Sequence, residues 1–442
     1  MYIPDYVNHC IQALEAAGFA TYAVGGCVRD ACLGLTPHDY DLCTCALPEQ
    51  TEAVFADHNL VLAGKKHGTV GVITEGGMVE ITTFRTEGEY RDSRHPEWVA
   101  FVSDIAQDLS RRDFTVNAMA YSSTRGFADP FGGQQDLEKG ILRAVGEPEL
   151  RFTEDALRIA RGVRFAVRYH LTPEKDTEEA MLRLAPRLNE IAAERVFDEL
   201  CKLLPLMTEG DLLRFAPILG EIITELKPTF GYDQRNPHHT HDLYTHIAQV
   251  TAAVPPELPL RWAALLHDIG KPASCTVDEQ GIAHYHGHAQ VSATMADQIL
   301  RRLKAPTALR EQVVLLIDQH MTYPLPDKKW LRRRLSRLGE DSLKQLLALQ
   351  QADTGNKGTA NSEDMDYFSQ IHAILAEILA ENACLQIRDL AVNGHDLMAL
   401  GFQGKAIGNC LNRLLDLVID EQLPNEKETL LYEARKMRQI VV

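Results

Sequence analysis

Residues 23–44, AVGGCVRDACLGLTPHDYDLCT, contain two glycines, an arginine–aspartate pair and two further aspartates separated by one residue. The pattern predicts a short strand over residues 22–24, a turn at Gly25 and Gly26, and a helix over residues 27–33. Glycines at such a turn let backbone N–H groups approach an anion closely, and a helix N-terminus adds a favourable dipole. We therefore expect a phosphate-binding turn at this point.

A second strand is predicted over residues 40–44, with Asp39 and Asp41 at its beginning. Residues two apart point to one face of a strand, so both carboxylates would aim at the same point. Their repulsion favours a hard cation between them, and Mg²⁺ takes carboxylate oxygens together with substrate phosphates and water. A phosphate-binding turn beside such a site is typical of phosphoryl or nucleotidyl transfer. The alternative is a solvent-exposed aspartate pair on an ordinary strand-turn-helix.

The overall composition is that of a globular protein with several domains. The chain has 442 residues, of which 45% are hydrophobic and 24% charged, and this length predicts about three domains. The sequence shows neither a signal peptide nor an apolar run of about 20 residues, so we expect a cytoplasmic protein that does not enter a membrane. Nine cysteines without a Cys-x-x-Cys pair indicate reduced thiols. The net charge of −17 argues against general nucleic-acid affinity but allows local basic patches.

The sequence after the aspartate pair predicts a β-hairpin formed by residues 70–74 and 78–84. Its second strand carries Glu80 on the face opposite its apolar neighbours. Glu80 is either a third carboxylate of the metal site or a solvent-exposed residue. The polar stretch 86–98, which contains Gly and Pro, is expected to be a mobile loop.

Residues 111–120, RRDFTVNAMA, have apolar residues at helical spacing and are expected to form a helix. The polar side of that helix would contact triphosphate and ribose hydroxyls through Arg111, Arg112, Asp113 and Asn117. A turn at residues 129–133, DPFGG, is expected near the end of the first domain.

From residue 151 the sequence becomes helical, with Thr153 as the expected N-cap. Asp155 and Arg158 are three residues apart and are expected to share a helix face. Cytosine and adenine both present an exocyclic amine beside an unprotonated ring nitrogen, which an aspartate acceptor and an arginine donor match. Uracil and guanine present the reverse pattern, so this pair would admit CTP and ATP and reject UTP and GTP. A second stripe, Arg161, Arg164 and Arg168, forms either a solvated helix face or a nucleotide-binding surface.

Five of these motifs occur in a fixed order: GG-x-VRD, Asp-x-Asp, RRDFT-x-NA, DP-x-GG and ED-x-x-R. The set resembles that of the bacterial-type (class II) tRNA nucleotidyltransferases. This family includes CCA-adding enzymes, relatives that add only A or only CC, and bacterial poly(A) polymerases. The resemblance continues through a helix predicted at residues 194–204.

The resemblance implies an α+β fold, in which a nucleotidyltransferase head with a small mixed β-sheet precedes an all-α remainder. It implies that Asp39 and Asp41 are the catalytic, metal-binding carboxylates. It assigns triphosphate, ribose and base contacts to Gly25, Gly26, Arg29, Arg111, Arg112, Asp113, Asn117, Asp155, Arg158, Arg161 and Arg164. Stretch 86–98 corresponds to a flexible loop that CC-adding members lack, which favours addition of the terminal A.

Residues 236–357 concentrate many of the seventeen histidines and contain a His267-Asp268 dipeptide at a predicted helix end. This part resembles the HD metal-dependent phosphohydrolase superfamily. The resemblance implies metal ligands at His246, His267, Asp268 and Asp353, and a second metal at His288 and His320 that Asp268 would bridge. Histidine ligands suit a transition metal such as Ni²⁺, Mn²⁺ or Co²⁺ better than Mg²⁺.

The expected organisation is a catalytic head (1–145), a helical neck and body (146–235), an HD domain (236–357) and a helical tail (358–442) that binds tRNA. The basic run 328–337 is either a solvated helix face or an RNA contact. The expected activity is Mg²⁺-dependent addition of CCA to tRNA from CTP and ATP, with a second hydrolytic activity in the HD domain. The alternatives are a poly(A) polymerase or A-adding enzyme, an HD phosphohydrolase with an inactive head, and an RNA-binding protein without catalysis.

Overall fold

The computed structural model describes residues 1–87, 99–236, 240–358, 362–381 and 383–440. The chain forms two compact units, residues 1–224 and residues 225–442. The first unit is α+β and the second is almost entirely helical, which confirms the predicted fold class. None of the helices in the described ranges is both long and apolar enough to cross a lipid bilayer.

The first unit alternates short strands and helices before it becomes helical. Its strands are β1 Thr21–Val24, β2 Asp41–Thr44, β3 Asn59–Val61, β4 Thr69–Thr74, β5 Gly77–Thr83, β6 Arg85–Glu87, β7 Val99–Phe101, β8 Ala120–Ser122, β9 Gly126–Ala128, β10 Ile141–Leu142 and β11 Thr172–Pro173. Its helices are α1 Asp5–Ala16, α2 Gly26–Cys32, α3 Pro48–Val54, α4 Ile105–Ser110, α5 Gly133–Glu138, α6 Pro148–Glu154, α7 Leu157–Tyr169, α8 Lys175–Leu184, α9 Ala193–Leu203, α10 Glu209–Arg214 and α11 Ala216–Ile222.

A seven-stranded mixed sheet carries the predicted metal-site residues. Its strand order is β3-β4-β5-β2-β1-β8-β9, and only the β2–β5 pair within it is parallel. The register places Asp41 beside Glu80 and the buried Leu42 beside the buried Ile81. Because side chains alternate between the faces of a strand, the two acids share the face opposite Leu42 and Ile81. The predicted hairpin and both predicted strands of the opening motif are confirmed within about one residue.

The helix predicted over residues 111–120 is wrong. Arg111 follows the end of α4, and only Thr115–Asn117 make one turn of 3₁₀-helix before β8 begins. The backbone around Phe114 is extended instead, because it pairs with residues 143–145 through two hydrogen bonds, Thr115 N–H to Arg143 O and Val145 N–H to Asp113 O. This non-local pairing satisfies backbone groups that a local helix would otherwise have used.

Two further local predictions need correction. Thr153 lies inside α6, which begins at Pro148 and not at the expected N-cap. Asp155 is extended (φ −144°) between α6 and α7, so it does not share a helix face with Arg158. Its carboxylate instead accepts the backbone N–H of Leu157 at 3.0 Å. In the predicted loop 86–98, Thr86 and Glu87 belong to β6, which pairs with β7; residues 88–98 lie outside the described residues.

The second unit is built from helices and one two-stranded ladder. The strands are β12 Thr276–Val277 and β13 Ala283–His284. The helices are α12 Leu243–Ala253, α13 Leu258–Leu266, α14 Lys271–Ser274, α15 His288–Arg302, α16 Thr307–Gln319, α17 Lys328–Leu338, α18 Glu340–Gly355, α19 Ser362–Ala380, α20 Gly394–Ala399, α21 Lys405–Ile419 and α22 Lys427–Ile440. Helices α17, α18 and α19 share one apolar cluster, and α20, α21 and α22 share another.

Candidate functional site

An open cavity of about 490 Å³ in the first unit collects residues from the separate motifs of the head. The β1–α2 turn, the segment after α4 and the beginning of α7 all contribute to it. Of the residues predicted to bind nucleotide or metal, the lining includes Gly25, Gly26, Arg29, Asp41, Arg111, Arg112, Asp113, Asn117, Asp155, Arg158 and Arg161. Segments that are far apart in sequence therefore meet at one surface.

The glycine turn brings backbone and arginine close together. Gly25 has a φ of +73°, and a Cβ built on it would lie 2.9 Å from Nη1 of Arg112. A side chain at this position would thus be strained and would also displace the guanidinium. Arg29, whose side chain is buried, donates to Asn117 Oδ1 at 2.5 Å and to the hydroxyl of Tyr169 at 2.5 Å. The turn therefore presents backbone and fixed positive charge to the cavity, which suits a polyphosphate.

Two carboxylates, Asp41 and Glu80, are neighbours where β2 begins, and Asp39 is close by in sequence but does not line the cavity. Asp41 lines the cavity, Glu80 lies beside it in the sheet register, and Asp39 precedes the strand. Desolvation and then the Glu80 carboxylate raise the pKa of Asp41, and Arg112 offsets part of this effect. Asp41 is nevertheless exposed, because it faces the open cavity. The neighbouring Asp41 and Glu80 carboxylates fit a hard divalent cation.

Asp113 is the most strongly perturbed acid of this cavity. Burial would raise its pKa, but Arg161 and a hydrogen bond from Asn117 outweigh burial and lower the pKa to about 2. Arg161 reaches Asp113 Oδ2 with Nε at 2.9 Å and Nη2 at 2.8 Å, a two-pronged ion pair. Asp113 is therefore ionised at neutral pH and holds both partners at fixed positions on the cavity wall.

The predicted base-selecting pair lies at the same cavity although the two residues are on different elements. Asp155 Oδ2 accepts from Arg195 Nη2 at 2.9 Å. Arg158 Nη1 donates to Glu154 Oε2 at 2.6 Å and Arg158 Nη2 donates to the carbonyl of Arg111 at 3.1 Å. Both side chains are thus held in place by protein contacts while they line the cavity.

Arg164 is separated from the other predicted nucleotide-binding residues. Its Nε donates to Glu199 Oε2 at 2.5 Å, and both side chains are about nine-tenths buried between α7 and α9. Arg164 is not among the residues that line the cavity. The periodicity that placed it in one stripe with Arg161 and Arg168 did not reveal this buried partner.

Several residues that the sequence did not single out support this cavity. Asp108 is fully buried and accepts from Arg111 at 2.9 Å and from Arg112 at 3.3 Å. Tyr169 lies 4.2 Å from the Arg29 guanidinium carbon, measured to the ring centroid. The spacing of three and four residues between Asp108 and the two arginines is a signal that the sequence offers. The contact between Tyr169 and Arg29 spans 140 positions and has no such signal.

The second candidate site is a buried cluster of histidines and aspartates in the second unit. Its potential ligand atoms fall into two groups, and within each group they lie within 4.8 Å of one another. One group contains His246, His267, Asp268 and Asp353, and the other contains Asp268, His288 and His320. Asp268 faces both groups, since its Oδ2 lies 3.2 Å from His267 Nε2 and its Oδ1 lies 3.2 Å from His288 Nε2.

Three of the histidines are oriented in the same way. The Nδ1 atoms of His267, His288 and His320 lie 2.8, 2.7 and 2.6 Å from the backbone carbonyl three residues earlier. A proton on Nδ1 leaves the Nε2 lone pair directed into the cluster. Among the described residues these Nε2 atoms have no hydrogen-bond partner. Lone pairs that face carboxylate oxygens repel them unless a cation intervenes, so the donor set fits metal ions of the transition series.

The pKa shifts of the histidines and aspartates also indicate that the cluster favours positive charge at its centre. Burial lowers the pKa of His267, but Asp268 and Asp353 outweigh it and raise the pKa to about 10. Burial and then the charge of His267 lower the pKa of His320 to about 4. Burial alone would raise the pKa of Asp268 and of Asp353. The histidines that face these carboxyl groups nevertheless hold both pKa values well below their usual range. The centre of the cluster is thus suited to a cation.

The basic run 328–337 forms α17 and is largely ion-paired. Lys328 and Arg332 contact Glu381, and Lys329 and Arg333 contact Asp420. These pairs favour a structural role for the run over the RNA contact that the sequence left open.

Three family models match the chain. They are "Poly A polymerase head domain" over residues 21–143, "Probable RNA and SrmB- binding site of polymerase A" over residues 170–206, and "tRNA nucleotidyltransferase domain 2 putative" over residues 274–434.

Curated relatives match almost the whole chain. The CCA-adding enzyme of Streptococcus thermophilus is 34% identical and covers 99% of both chains. The CCA-adding enzyme of Lactiplantibacillus plantarum is 32% identical over 96% of this chain and 94% of its own length. Among solved structures, the Bacillus stearothermophilus CCA-adding enzyme in complex with CTP is 28% identical, with a TM-score of 0.71 over 100% of this chain and 99% of the other.

Proposed function

The chain belongs to the family of CCA-adding enzymes, and from that premise we propose that it extends tRNA 3′ ends with C, C and A without a nucleic-acid template. CTP and ATP are its substrates, pyrophosphate is its by-product, and the cytoplasm is its proposed location. In each cycle the tRNA 3′-hydroxyl oxygen bonds to the α-phosphorus of the nucleotide, the bond from that phosphorus to the bridging oxygen of the β-phosphate breaks, and the hydroxyl proton leaves.

The observation that supports this proposal is the cavity of the first unit, where four of the five motifs meet. Gly25, Gly26, Arg29 and Arg112 bind the triphosphate, because the turn lines the cavity beside two guanidinium groups. Arg111, Asp113 and Asn117 contact phosphate oxygens and ribose hydroxyls. Asp113 is held in place by its ion pair with Arg161 and by a hydrogen bond from Asn117. The contact roles of these residues are proposals that rest on their position in the cavity.

Base selection is assigned to Asp155 and Arg158. Each carboxylate oxygen can accept more than one hydrogen bond, so Asp155 can receive the exocyclic amine of C or A while Arg195 stays bound. Arg158 uses three of its five N–H donors on Glu154, Arg151 and Arg111, which leaves donors for the ring nitrogen. The pair reads one edge pattern that C and A share, so a single pocket serves both nucleotides.

Mg²⁺ is the proposed cofactor of this site, with Asp39 and Asp41 as its ligands and Glu80 as a further candidate. When bound, it supplies Lewis-acid polarisation of the attacking hydroxyl and neutralises charge on the leaving pyrophosphate. Burial and then the neighbouring Glu80 carboxylate raise the pKa of Asp41, so a cation at this site would stabilise the ionised carboxylates.

The test uses three tRNA transcripts that lack CCA, end in C, or end in CC. Each is incubated with one labelled nucleotide at a time and Mg²⁺. We expect CTP to extend the first two transcripts, ATP to extend only the third, and UTP and GTP to extend none. An enzyme that added A to all three transcripts would be a poly(A) polymerase or A-adding enzyme. The Asp41→Asn variant is the control for contaminating activity.

A second function is proposed for the histidine–aspartate cluster of the second unit, namely hydrolysis of a phosphate ester with Ni²⁺, Mn²⁺ or Co²⁺. The oriented Nε2 atoms of its histidines and the position of Asp268 between both groups favour this function. A metal in this site would lower the pKa of a bound water toward about 7. The plausible substrate is a 2′,3′-cyclic phosphate at a damaged tRNA end, because it blocks the hydroxyl that the head requires.

A double dissociation tests this second function. Replacing both His267 and Asp268 by Ala should abolish hydrolysis of cyclic-phosphate ends and spare nucleotide addition, whereas Asp39→Ala should do the reverse. The hydrolytic assignment is wrong if the wild-type protein, loaded with each of the three metals, hydrolyses no phosphate ester offered. The cluster would then be a structural metal site.

A further inference from the structure

The histidine–aspartate cluster opens into a cavity of about 230 Å³ whose wall carries two lysines. Lys271 Nζ lies 2.7 Å from Asp268 Oδ2, and Lys357 Nζ lies 2.8 Å from Asp353 Oδ2. Each of the two carboxylates therefore already has an ammonium partner before any metal is bound. Each divalent ion adds two positive charges, so the loaded cavity requires an anion.

The two lysines differ in what holds them. The side chain of Lys271 is 6% exposed, and it also donates to Gln234 Oε1 at 3.1 Å. The ammonium group additionally lies 5.6 Å from the ring centroid of Tyr285. Lys271 is thus fixed on several sides, and a substrate would have to displace these contacts to reach it.

Within the part of the chain that the structure describes, Lys357 is held by one side-chain contact. Its side chain is 26% exposed, and its single hydrogen bond within the described residues goes to Asp353, four residues earlier on α18. An ammonium has three donors, so two remain for another acceptor. Lys357 lines the cavity together with His288, a residue of the cluster. A donor pair with positive charge beside the cluster matches the non-bridging oxygens of a phosphate.

We propose that Lys357 binds the phosphate of the substrate in the hydrolytic site, and that this site takes a phosphate at the end of a chain. The restriction to chain ends is argued from the cavity size, since about 230 Å³ is below the ~300–1,000 Å³ of typical ligand pockets. This space accommodates a phosphate with part of its ribose, and a second flanking nucleotide would have to lie outside it. The proposal rests on the hydrolytic function proposed above, but the binding step can be tested without turnover.

The chain offers a control pair on α18, the helix that carries Asp353 and ends two residues before Lys357. Lys344 pairs with Glu340 at the same spacing of four residues, with the acid again on the N-terminal side, but both side chains are about half exposed. Replacing either lysine by Met removes the charge and retains a similar length. A difference between the two variants therefore reports the cavity and not the loss of an i,i+4 ion pair.

The experiment measures phosphate binding to the full chain by calorimetry after loading with Ni²⁺. All proteins carry Asp41→Ala so that the head does not contribute metal-linked nucleotide binding. The probes are inorganic phosphate, cytidine 3′-monophosphate and the dinucleotide CpA, whose phosphate is internal. We expect Lys357→Met to weaken binding of the first two probes by about tenfold or more, with unchanged nickel content. Lys344→Met should bind normally, Lys357→Arg should retain most of the affinity, and CpA should bind poorly.

Each contrary result has a defined meaning. Equal phosphate affinity in Lys357→Met and Lys344→Met, or no phosphate binding at all, overturns the role of Lys357. Loss of nickel in Lys357→Met also overturns it, because the lysine would then serve the metal ligand and not the substrate. CpA binding as tight as that of cytidine 3′-monophosphate overturns the chain-end restriction. If phosphate binding depends on Lys357 but no ester is hydrolysed, the hydrolytic function fails and the phosphate subsite stands.

Discussion

Arg158→Gln should relax base selection while nucleotide addition continues. In the structure Arg158 lines the cavity, its side chain is 10% exposed, and it donates to Glu154 and to the carbonyls of Arg151 and Arg111. Glutamine retains an N–H donor but loses the positive charge and the two-pronged reach of arginine. The variant should therefore preserve part of the local packing and lose the directed contact with the base.

The expected magnitude follows from the contact that is lost. A good bidentate base contact is worth about 1–3 kcal/mol of discrimination, which corresponds to roughly 5- to 150-fold in relative rate. Loss of the ion pair with Glu154 will also destabilise the first unit, but modestly, since Glu154 is about a quarter exposed and its charge is partly screened. The CTP-to-UTP preference should thus fall by about tenfold or more.

The assay is single-turnover incorporation of each nucleotide onto a tRNA transcript that lacks CCA. Arg151→Gln is the matched control, because Arg151 binds the same Glu154 but does not line the cavity. Comparable stability loss in the two variants, with relaxed selection only in Arg158→Gln, would support the assignment. An unchanged CTP-to-UTP ratio in Arg158→Gln would refute it and place base choice elsewhere.

Three further predictions concern the first unit. Asp39→Ala or Asp41→Ala should reduce nucleotide addition by roughly a hundredfold or more and leave tRNA binding in a filter assay nearly intact. Near-normal addition in Mg²⁺ by either variant would show that the metal site is misassigned. Arg164→Leu should destabilise the protein by about 3–5 kcal/mol, because it leaves the buried Glu199 carboxylate without its partner. Adding Glu199→Leu should recover most of the lost melting temperature without loss of CTP affinity, since the pair is buried away from the cavity. A double variant with lower CTP affinity would show that Arg164 is a nucleotide ligand after all. Folding lowers the pKa of Asp113 from 3.8 to about 2, which adds roughly 2 kcal/mol to the free energy of unfolding. This stabilisation is fully present above about pH 4 and is lost as the pH falls toward 2. The melting-temperature gap between wild type and Asp113→Asn should therefore narrow between about pH 4 and pH 2, and a constant gap would contradict the assignment.

The parts of the head that the sequence predicted correctly are those that local rules determine. The glycine turn, the hairpin and the strand that begins near Asp41 each depend on residue types within a few positions. The helix predicted over residues 111–120 failed because the backbone around Phe114 pairs with residues 143–145, about thirty positions later. Non-local pairing of this kind leaves no periodic signal in the sequence.

The candidate sites show the same division. Asp155 and Arg158 lie at one cavity, as expected, although the helix face that was to bring them together does not exist. His246 and Asp353 meet at 3.1 Å across 107 positions of sequence, and only the resemblance to a known superfamily pointed to them. Partners such as Arg195 became visible only in the fold. The residue types of a site are thus easier to predict than the contacts that hold them.

The most direct test of the central claim is to sequence the 3′ ends made from a tRNA transcript that lacks CCA. The full-length protein receives all four nucleotides together with Mg²⁺, and the Asp41→Ala variant is run in parallel. The account predicts ends that read CCA and stop, with no extension by the variant. Ends that carry only CC, or runs of A, or equal extension by the variant, would contradict it.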